Sequence, residues 1–256
     1  CRMCLVEVEK APKTLPACAT QIMPNAKVFT KSKATIVSQK AIMEFLLVNH
    51  PLDCPICDKG GECELQDLAM GFGKTASAFK EPKRAVHDED LGPLVATDMT
   101  RCIHCTRCIR FGTEVAGIPE LGATGRGEDM RIETYLSKGL NSELSGNCID
   151  VCPVGALTSR PFRYRGRSWG FTQHKAYAMH DCIGSHTIIQ TIAKGYDKKT
   201  EIMRVLPRKN EALNQIWLSD RDRFSYLGFR HSERLTKPKL KRNGIWQTIS
   251  WEEALN

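Results

Sequence analysis

Long hydrophobic runs are missing from this chain of 256 residues. A helix needs about 20 consecutive, mostly apolar residues to cross a bilayer, and the run Phe45–Val48 is among the longest here. The sequence therefore predicts no membrane-spanning segment. Any membrane association is expected to come through partner proteins.

The usual signatures of an independent catalytic site are also missing. The stretch Gly122–Gly127 is rich in glycine, but it has neither the strand–helix context nor the later acidic residue of a dinucleotide-binding loop. The sequence shows no nucleophile with a recognisable base placed beside it. We therefore expect no separate catalytic site within this chain.

Cysteine, by contrast, is abundant. The chain has 12 cysteines, most of them in Cys-x-x-Cys groups, and this clustering favours metal ligands in a reducing compartment over disulfides. The formal net charge is +8. Because thiolates and bound clusters would offset that charge, we do not interpret it as a signature of nucleic-acid binding.

The most informative group is Cys102, Cys105 and Cys108, followed at a distance by Cys152 and Pro153. Thiols at every third residue of a turning loop point toward one centre, which is typical of three ligands to a [4Fe-4S] cluster with a remote fourth cysteine. Proline after Cys152 ends any helix there and sets a turn beside the sulfur. This group predicts one [4Fe-4S] cluster.

Two alternatives remain open for this group. Cys148 precedes Cys152 by one helical turn and competes as the fourth ligand, although the Cys-Pro context favours Cys152. Zinc is the other alternative, but zinc sites usually use separated pairs of ligands rather than a triplet. The neighbouring cations Arg101, Arg107 and Arg110 are either solvated or hold the anionic cluster.

A second group contains Cys54, Cys57 and Cys63, with Gly60–Gly61 between them. Glycines allow a loop to wrap tightly around a cluster. Imidazole replaces thiolate in some iron–sulfur sites, and a neutral nitrogen makes such a site less negative. The candidates for the fourth ligand are His50, Asp53, Asp58 and Cys148.

A third group, Cys1, Cys4 and Cys18, surrounds an alternating stretch at 5–9 that predicts a strand. The plant-type [2Fe-2S] pattern places its first cysteine upstream of a Cys-x-x-Cys pair. The fourth ligand is therefore expected before residue 1. Since the chain also begins without methionine and ends in an apparent first helical turn at 251–255, we expect a fragment of a longer protein.

Periodicity predicts the remaining elements. Apolar spacing predicts a helix over 36–48 that ends before Pro51. The alternation of basic and aromatic residues at 160–169 favours a half-buried strand with a basic outer face over an RNA-binding segment. We also expect a helix-like stretch at 142–151, a strand at 201–206 and a compact turn at 220–226.

The order of these motifs resembles the large iron–sulfur subunit in the peripheral arm of respiratory complex I, the proton-pumping NADH:quinone oxidoreductase. The resemblance covers the whole chain. It implies that His50, Cys54, Cys57 and Cys63 hold one [4Fe-4S] cluster, and that Cys152 rather than Cys148 completes the other. It also implies one [2Fe-2S] cluster, on Cys1, Cys4 and Cys18, in the full-length chain.

The resemblance implies an α+β fold made of small iron–sulfur domains. A ferredoxin-type [2Fe-2S] tail at 1–34 precedes a His/Cys3 domain at 35–74 and a Cys4 domain at 75–165. A β-rich, degenerate entry domain of the molybdopterin-oxidoreductase type follows at 171–227, and the start of a molybdopterin-oxidoreductase-like domain at 228–256.

The entry domain departs from the pattern of its relatives. Cys182 stands alone, and His186 and Ser219 occupy positions where some relatives have cysteines. A single thiol cannot hold a cubane, so we predict no cluster there and no molybdopterin. Cys182 is expected to be a buried or free thiol.

The implied function is electron transfer through iron–sulfur clusters from a flavin/NADH-binding subunit toward quinone. The implied partners are other peripheral-arm subunits, and the implied location is the cytoplasmic face of a bacterial inner membrane or the matrix face of the mitochondrial one. The alternative is a diaphorase-type subunit of a NAD-linked hydrogenase or formate dehydrogenase. A zinc protein and a redox sensor are weaker alternatives, because the spacing favours iron–sulfur and no DNA-binding or effector domain is evident.

Overall fold

The computed structural model describes residues 1–135, 139–194 and 199–256. Residues 136–138 and 195–198, which fall within the predicted domains 75–165 and 171–227, lie outside the described residues. The described chain combines short helices with small antiparallel sheets, so the predicted α+β class is confirmed.

The β-strands are β1 Leu5–Val8, β2 Leu15–Pro16, β3 Val28–Phe29, β4 Val95–Thr97, β5 Leu121–Thr124, β6 Arg131–Thr134, β7 Leu157–Ser159, β8 Thr172–Tyr177, β9 His186–Lys194, β10 Lys199–Pro207, β11 Lys239–Arg242 and β12 Ile245–Thr248. The α-helices are α1 Lys33–Val48, α2 Glu64–Phe72, α3 Arg107–Arg110, α4 Asn147–Val151, α5 Asp220–Phe224 and α6 Trp251–Leu255. A π-helical turn, Phe111–Val115, continues α3.

The first sheet has the strand order β2-β1-β3, all antiparallel. The predicted strand at 5–9 is confirmed as β1, where Val6 and Val8 are buried and their neighbours are partly exposed. This alternation is what a strand with one covered face requires. The sheet packs against α1, because the Glu7 amide donates to Thr35 Oγ1 at 3.0 Å.

Helix α1 places His50 at the start of the second ligand group. The predicted helix over 36–48 is confirmed, but it begins one turn earlier because the Ser32 hydroxyl accepts from the Thr35 amide at 3.2 Å and caps the N-terminus. Met43 is fully buried on the inner face. The helix ends at Val48, just before the His50-Pro51 turn.

One hydrophobic core connects both metal-ligand groups. Its buried members are Met43, Cys63, Leu65, Leu91, Val95, Met99, Cys108, Phe111, Leu121, Ile132, Cys148, Cys152, Val154, Ala156 and Leu157. Strand β4 pairs with β7 and β5 pairs with β6, both antiparallel. The β4-β7 ribbon brings the stretch after Cys152 back beside the stretch before Cys102.

The predicted helix at 142–151 is shorter than expected. Only α4, Asn147–Val151, is helical, and turns precede it. The Ser142 hydroxyl accepts from the Leu144 amide at 3.2 Å, and Asn147 Nδ2 donates to the Leu144 carbonyl at 2.9 Å. These local side-chain bonds compete with helical pairing.

The predicted strand at 160–169 is wrong. The segment forms turns, and a 3-10 turn covers Ser168–Gly170. Tyr164 has φ 63°, a left-handed conformation that no strand permits. Phe162 is buried as expected, but Arg163, Arg165 and Arg167 bind other groups of the protein instead of forming a solvated face.

The predicted strand at 201–206 is confirmed within β10, which pairs with β9 in a sheet of order β10-β9-β8.

The predicted compact turn at 220–226 is instead a helix, α5, followed by a 3-10 helix over Ser225–Arg230. The Ser219 hydroxyl caps α5 by accepting from the Asp222 amide at 3.2 Å. Asp220 joins α5 to α4, because its carboxylate accepts from Ser145 Oγ at 2.6 Å and from the Gly146 amide at 2.7 Å.

Strands β11 and β12 form an antiparallel hairpin. The predicted helical turn at 251–255 is confirmed as α6, which the Ser250 hydroxyl caps by accepting from the Glu253 amide at 3.1 Å. None of the helices in the described part of the chain is both long enough and apolar enough to cross a bilayer.

We expect Asn147→Ala to destabilise the contact between α4 and the segment before α5. Asn147 is fully buried; its Nδ2 donates to the Leu218 carbonyl at 2.8 Å, and its Oδ1 accepts from the Leu218 amide at 3.0 Å. Buried groups left without partners cost about 1–3 kcal/mol each, so thermal unfolding of the cluster-loaded protein should occur at a clearly lower temperature.

The exposed Asn141 provides the control. Its side chain donates to the Gly139 carbonyl at 3.1 Å near the surface, so Asn141→Ala should leave the unfolding temperature nearly unchanged. Equal unfolding temperatures for the two variants would contradict the importance of the buried network.

Candidate metal centres

The thiols of the Cys102 group, with Cys152, line one cavity. Its lining contains Cys102, Cys105, Cys108 and Cys152 and is otherwise formed by Met99, Ile103, Thr106, Ile132, Val154, Ala156 and Leu157. His104 has φ 50° and Thr106 has φ 60°. These left-handed residues turn the loop between successive cysteines, which is how the spacing brings the thiols together.

Cys148 lies beside a different cavity. That cavity shares only Cys108 with the first one and is lined further by residues such as Phe111, Leu121 and Leu140. Burial, followed by the nearby Asp220 carboxylate, raises the pKa of Cys148 to about 12. Cys148 is therefore a neutral thiol in an apolar environment, while Cys152 faces the other three cysteines.

Burial in the walls of the first cavity keeps the thiols of Cys102, Cys105 and Cys108 protonated. Burial raises the pKa of Cys102 to about 11, and burial likewise raises the pKa of Cys108. Iron would have to displace these protons, because thiolate is the form that binds metal. Four thiols around a small apolar cavity fit a [4Fe-4S] cluster.

His50, Cys54 and Cys63 line a second cavity, together with Leu47, Leu65 and other residues of α1 and α2. The Nδ1 atom of His50 is buried and has no hydrogen-bond partner. Burial, with the charges of Lys83 and Arg101, lowers the pKa of His50 to about 4. The imidazole is therefore neutral near pH 7, which is the form that binds a metal.

Cys57 is not among the residues that line this cavity. Burial raises the pKa of Cys57, and the charge of Cys54 adds to this effect. Burial is also the main cause of the raised pKa of Cys63, to which the charges of Cys57 and Cys54 contribute. The three thiols are therefore close enough to interact electrostatically. Together with the unpartnered Nδ1 of His50, they fit a His/Cys3 cluster.

The two carboxylate candidates for the fourth ligand already have partners, and Cys148 lies elsewhere. Asp53 Oδ2 accepts from Arg101 Nε at 3.1 Å, and Asp58 Oδ1 accepts from the Tyr164 amide at 2.9 Å. Cys148 lies at the cavity beside Cys108. Among the four candidates, the His50 side chain is the one with an unpartnered nitrogen in the cavity beside Cys54 and Cys63.

Within the described ranges, no three His, Cys, Asp or Glu side chains lie close enough to hold a single metal ion. A cubane differs from a single ion because each ligand binds a separate iron atom. Its ligands therefore lie around a cavity and do not converge on one point. All four proposed ligands of the Cys102 group line one cavity, and in the His50 group His50, Cys54 and Cys63 do so.

The third group, Cys1, Cys4 and Cys18, is less enclosed than the other two. Cys4 Sγ lies 3.3 Å from Cys18 Sγ, and Cys1 and Cys18 are exposed. Burial raises the pKa of Cys4, but hydrogen bonds from Cys18 outweigh that effect and the net shift is downward. A depressed pKa favours the thiolate that a [2Fe-2S] cluster needs.

A short turn connects the two enclosed groups. Cys152 lines the first cavity, while the next carbonyl, that of Pro153, accepts from Cys63 Sγ at 3.6 Å. A Cβ atom at Gly155 would lie 2.1 Å from Cys57 Sγ. The turn 152–155 therefore contacts ligands of both groups.

Arg101 is not a solvated cation. Its side chain is 4% exposed and pairs with Asp53 at 3.1 Å and with Asp98 at 2.9 Å. It therefore joins the loop of the His50 group to the start of the Cys102 group. Arg107 pairs with Glu64 at 2.8 Å and links α3 to α2. Arg110 pairs with Glu114 at the surface. Of the two alternatives for this arginine, the structure therefore favours the solvated side chain.

Sequence reasoning missed several residues around the ligands. Arg84 Nη1 lies 3.3 Å from His104 Nε2, and the His104 amide donates to Cys102 Sγ at 3.4 Å. Arg167 donates to backbone carbonyls of the Cys54–Cys57 turn. The basic–aromatic pattern at 160–169 was a visible signal for Arg167, but its period alone suggested a strand.

Cys182 is exposed, which supports the free thiol over the buried one. It lies in the loop between β8 and β9. The sequence contains no further cysteine after it.

Three family models match separate ranges of the chain. Residues 39–77 match the family described as NADH-ubiquinone oxidoreductase-G iron-sulfur binding region. Residues 92–158 match NADH-quinone oxidoreductase subunit 3, ferredoxin-like domain. Residues 176–227 match NADH-ubiquinone oxidoreductase NDSU1/NuoG-like, 4Fe-4S domain. The first two ranges contain the two enclosed cysteine groups.

A solved structure has a similar fold. The crystal structure of NAD+-reducing [NiFe]-hydrogenase in the H2-reduced state is 30% identical, with a TM-score of 0.56. The match covers 65% of this chain and 71% of that chain.

Relatives of known name match the full chain. The NADH-ubiquinone oxidoreductase 75 kDa subunit of Reclinomonas americana is 54% identical over 100% of this chain and 36% of its own length. The mitochondrial 78 kDa subunit of Neurospora crassa is 50% identical over 100% of this chain and 34% of its own length. The corresponding NADH-quinone oxidoreductase subunit of the bacterium Rickettsia bellii is 49% identical, again over 100% of this chain and 36% of its own length.

The chain thus spans about a third of the length of these relatives. Because the identity extends over every motif described above, the chain belongs to the family of large iron–sulfur subunits, of the 75 kDa type, of NADH:quinone oxidoreductase.

Proposed function

We propose that this chain relays electrons through iron–sulfur clusters within NADH:quinone oxidoreductase, from the NADH/flavin site toward quinone. The observation that carries this proposal is the pair of enclosed cysteine groups joined by the turn 152–155. Two neighbouring one-electron centres without a separate catalytic site suit a relay, in which the protein supplies spacing, burial and ligand type.

The proposed ligands of one [4Fe-4S] cluster are His50, Cys54, Cys57 and Cys63. Those of the other are Cys102, Cys105, Cys108 and Cys152. Cys1, Cys4 and Cys18 would bind one [2Fe-2S] cluster in the full-length chain, with the fourth ligand upstream. The clusters supply the electron-transfer chemistry when bound, and these side chains hold them in place.

The protein's own groups give the two cubane sites different electrostatic surroundings. A neutral His50 in place of a thiolate removes one negative charge from its site, and such replacement raises the potential of other iron–sulfur centres. The buried cation of Arg101 lies between the two ligand loops, where its charge favours the more negative reduced clusters.

The region after residue 170 is proposed to be a degenerate entry domain of the molybdopterin-oxidoreductase type. The exposed, solitary Cys182 supports the absence of a cluster at 171–227, although the matching family is described as a 4Fe-4S domain. We propose no molybdopterin. The proposed domains are 1–34, 35–74, 75–165, 171–227 and 228–256.

The proposed partners are the other peripheral-arm subunits, including the flavin/NADH-binding subunit, and not nucleic acid. The proposed location is the cytoplasmic face of a bacterial inner membrane, or the matrix face of the mitochondrial inner membrane, with membrane attachment only through the complex. The names of the relatives support this assignment, since they are subunits of that oxidoreductase.

The second candidate function is that of a diaphorase-type iron–sulfur subunit in a NAD-linked hydrogenase or formate dehydrogenase. The similarity to the NAD+-reducing hydrogenase structure favours it. However, identity to that structure is 30%, whereas identity to the complex I relatives is 49–54% over the whole chain. We therefore prefer the complex I assignment.

The proposal predicts about eight irons in two cubanes, since each cubane holds four. After anaerobic reconstitution of this chain, iron and zinc counts and low-temperature electron paramagnetic resonance of the reduced sample should report two [4Fe-4S] signals. Cys63→Ser should remove one signal and preserve the other. Zinc without a paramagnetic signal would overturn the electron-transfer proposal.

Substitutions at the two neighbouring thiols test the ligand set. We expect Cys152→Ser to abolish or convert the cluster at the Cys102 group, because Cys152 faces its cavity. Cys148→Ser is the matched control, one helical turn away and equally buried, and it should preserve both signals. The reverse pattern, with the cluster lost only in Cys148→Ser, would show that Cys148 and not Cys152 is the fourth ligand.

A further inference from the structure

Arg167 binds the backbone of the loop that carries the His50-group thiols. Its Nη1 atom donates to the Cys57 carbonyl at 2.5 Å, and its Nη2 atom donates to the carbonyls of Pro55 and, at 3.5 Å, Cys54. One guanidinium thus engages the peptide carbonyls of two proposed ligands and of the proline between them. Its fixed, planar set of donors suits several acceptors at once.

The paired glycines of this loop make room for that contact. A Cβ atom at Gly60 would lie 2.8 Å from Arg167 Nη1, and one at Gly61 would lie 2.4 Å from Trp169 Cζ3. Gly61 also has φ +87°, which a residue with a side chain rarely adopts. The Gly60–Gly61 pair therefore admits a guanidinium and an indole beside the ligand loop.

The segment that carries Arg167 is fixed independently at other points. The Tyr164 amide donates to Asp58 Oδ1 at 2.9 Å, and Arg163 Nη2 donates to Asp98 Oδ2 at 2.5 Å. The Arg167 guanidinium lies 5.9 Å from the Trp169 ring centre, within the range of a cation–π contact. These contacts orient the Arg167 side chain toward the ligand loop.

We propose that Arg167 is a positioning residue for the [4Fe-4S] cluster at the His50 group, and that its charge raises the reduction potential of that cluster. The inference rests on the proposed cluster at this site. Reduction adds a negative charge to a cluster, so a nearby cation stabilises the reduced state. Holding the three carbonyls also fixes the positions of the Cys54 and Cys57 thiols.

Asp58 lies close to Arg167, and its carboxylate offsets part of this charge. Because Asp58 is present in every variant of Arg167, differences in midpoint potential between the variants report the effect of the Arg167 guanidinium alone. The Cys102-group cluster in the same molecule serves as an internal reference, since the hydrogen bonds of Arg167 described above all go to the loop of the His50 group.

The test is a redox titration of the full-length subunit in its assembled complex, followed by electron paramagnetic resonance. Arg167→Gln removes the charge and should shift the midpoint potential of the His50-group cluster to more negative values, leaving the Cys102-group cluster unchanged. Arg167→Lys keeps a charge but lacks the forked donors, so it should give a smaller shift in potential and an altered spectrum.

Arg160→Gln is the matched control. Arg160 belongs to the same segment and pairs with the exposed Asp90 at 2.7 Å, so its loss should leave both potentials unchanged. Midpoints that are identical in the Arg167→Gln and unsubstituted proteins would overturn the inference. Equal shifts of both clusters, or equal shifts in the Arg160→Gln and Arg167→Gln variants, would also overturn it.

Arg167→Gln could prevent assembly of the His50-group cluster, and a second variant covers that outcome. If Arg167→Gln lacks the His50-group signal, Arg167→Lys becomes the decisive variant, and an unchanged spectrum and potential there would overturn the inference. Iron content and signals of the unsubstituted protein report separately on the proposed function. Absence of the His50-group cluster in that protein would refute the site itself, independently of Arg167.

Discussion

The close contact between Gly155 and Cys57 limits how the surrounding structure can be arranged. A Cβ atom at residue 155 would lie 2.1 Å from Cys57 Sγ, far inside van der Waals contact. The Cys152 thiol three residues earlier lines the other cavity. A single turn of backbone is therefore shared by both metal-ligand groups, and elements on either side must hold it to within a fraction of an ångström. Strand β7 follows this turn directly and pairs with β4.

Ion pairs between segments that are distant in sequence also restrain the positions of the two metal-ligand groups. The Arg101 guanidinium, 4% exposed, pairs with carboxylates from the loop before Cys54 and from the turn before Cys102. Arg204 in β10 donates to both oxygens of Glu62, at 2.7 and 2.6 Å, and Glu62 is adjacent to Cys63. Removing one member of such a buried pair leaves the other charge without compensation. The sheet that follows the cluster domains therefore contributes to the geometry of the His50 group.

Sequence reasoning anticipated the placement of the thiols, where the chemistry is local, and their role as ligands stays a prediction. Triplet spacing brought Cys102, Cys105 and Cys108 together, and the proline after Cys152 distinguished it from Cys148 in the same way as the two cavities do. The interpretation of 160–169 failed because the contacts that determine its shape are remote in sequence. Tyr164 and its acceptor Asp58 are 106 residues apart, and Arg167 and the Cys57 carbonyl are 110 residues apart. Periodicity within a segment carries no information about such partners.

The two glycines of the second group illustrate the same limit. A tight wrap around a cluster was the expected reason for Gly60 and Gly61, and the structure adds the side chains of Arg167 and Trp169, which occupy the space where Cβ atoms would lie. The buried thiols Cys63, Cys108 and Cys152 are themselves members of the hydrophobic core. Burial raises the pKa of Cys63 and of Cys108, so these two thiols become thiolates only when iron compensates the charge. Metal binding and packing of this core are therefore one thermodynamic event, and the contacts that orient the ligands also hold the domains together.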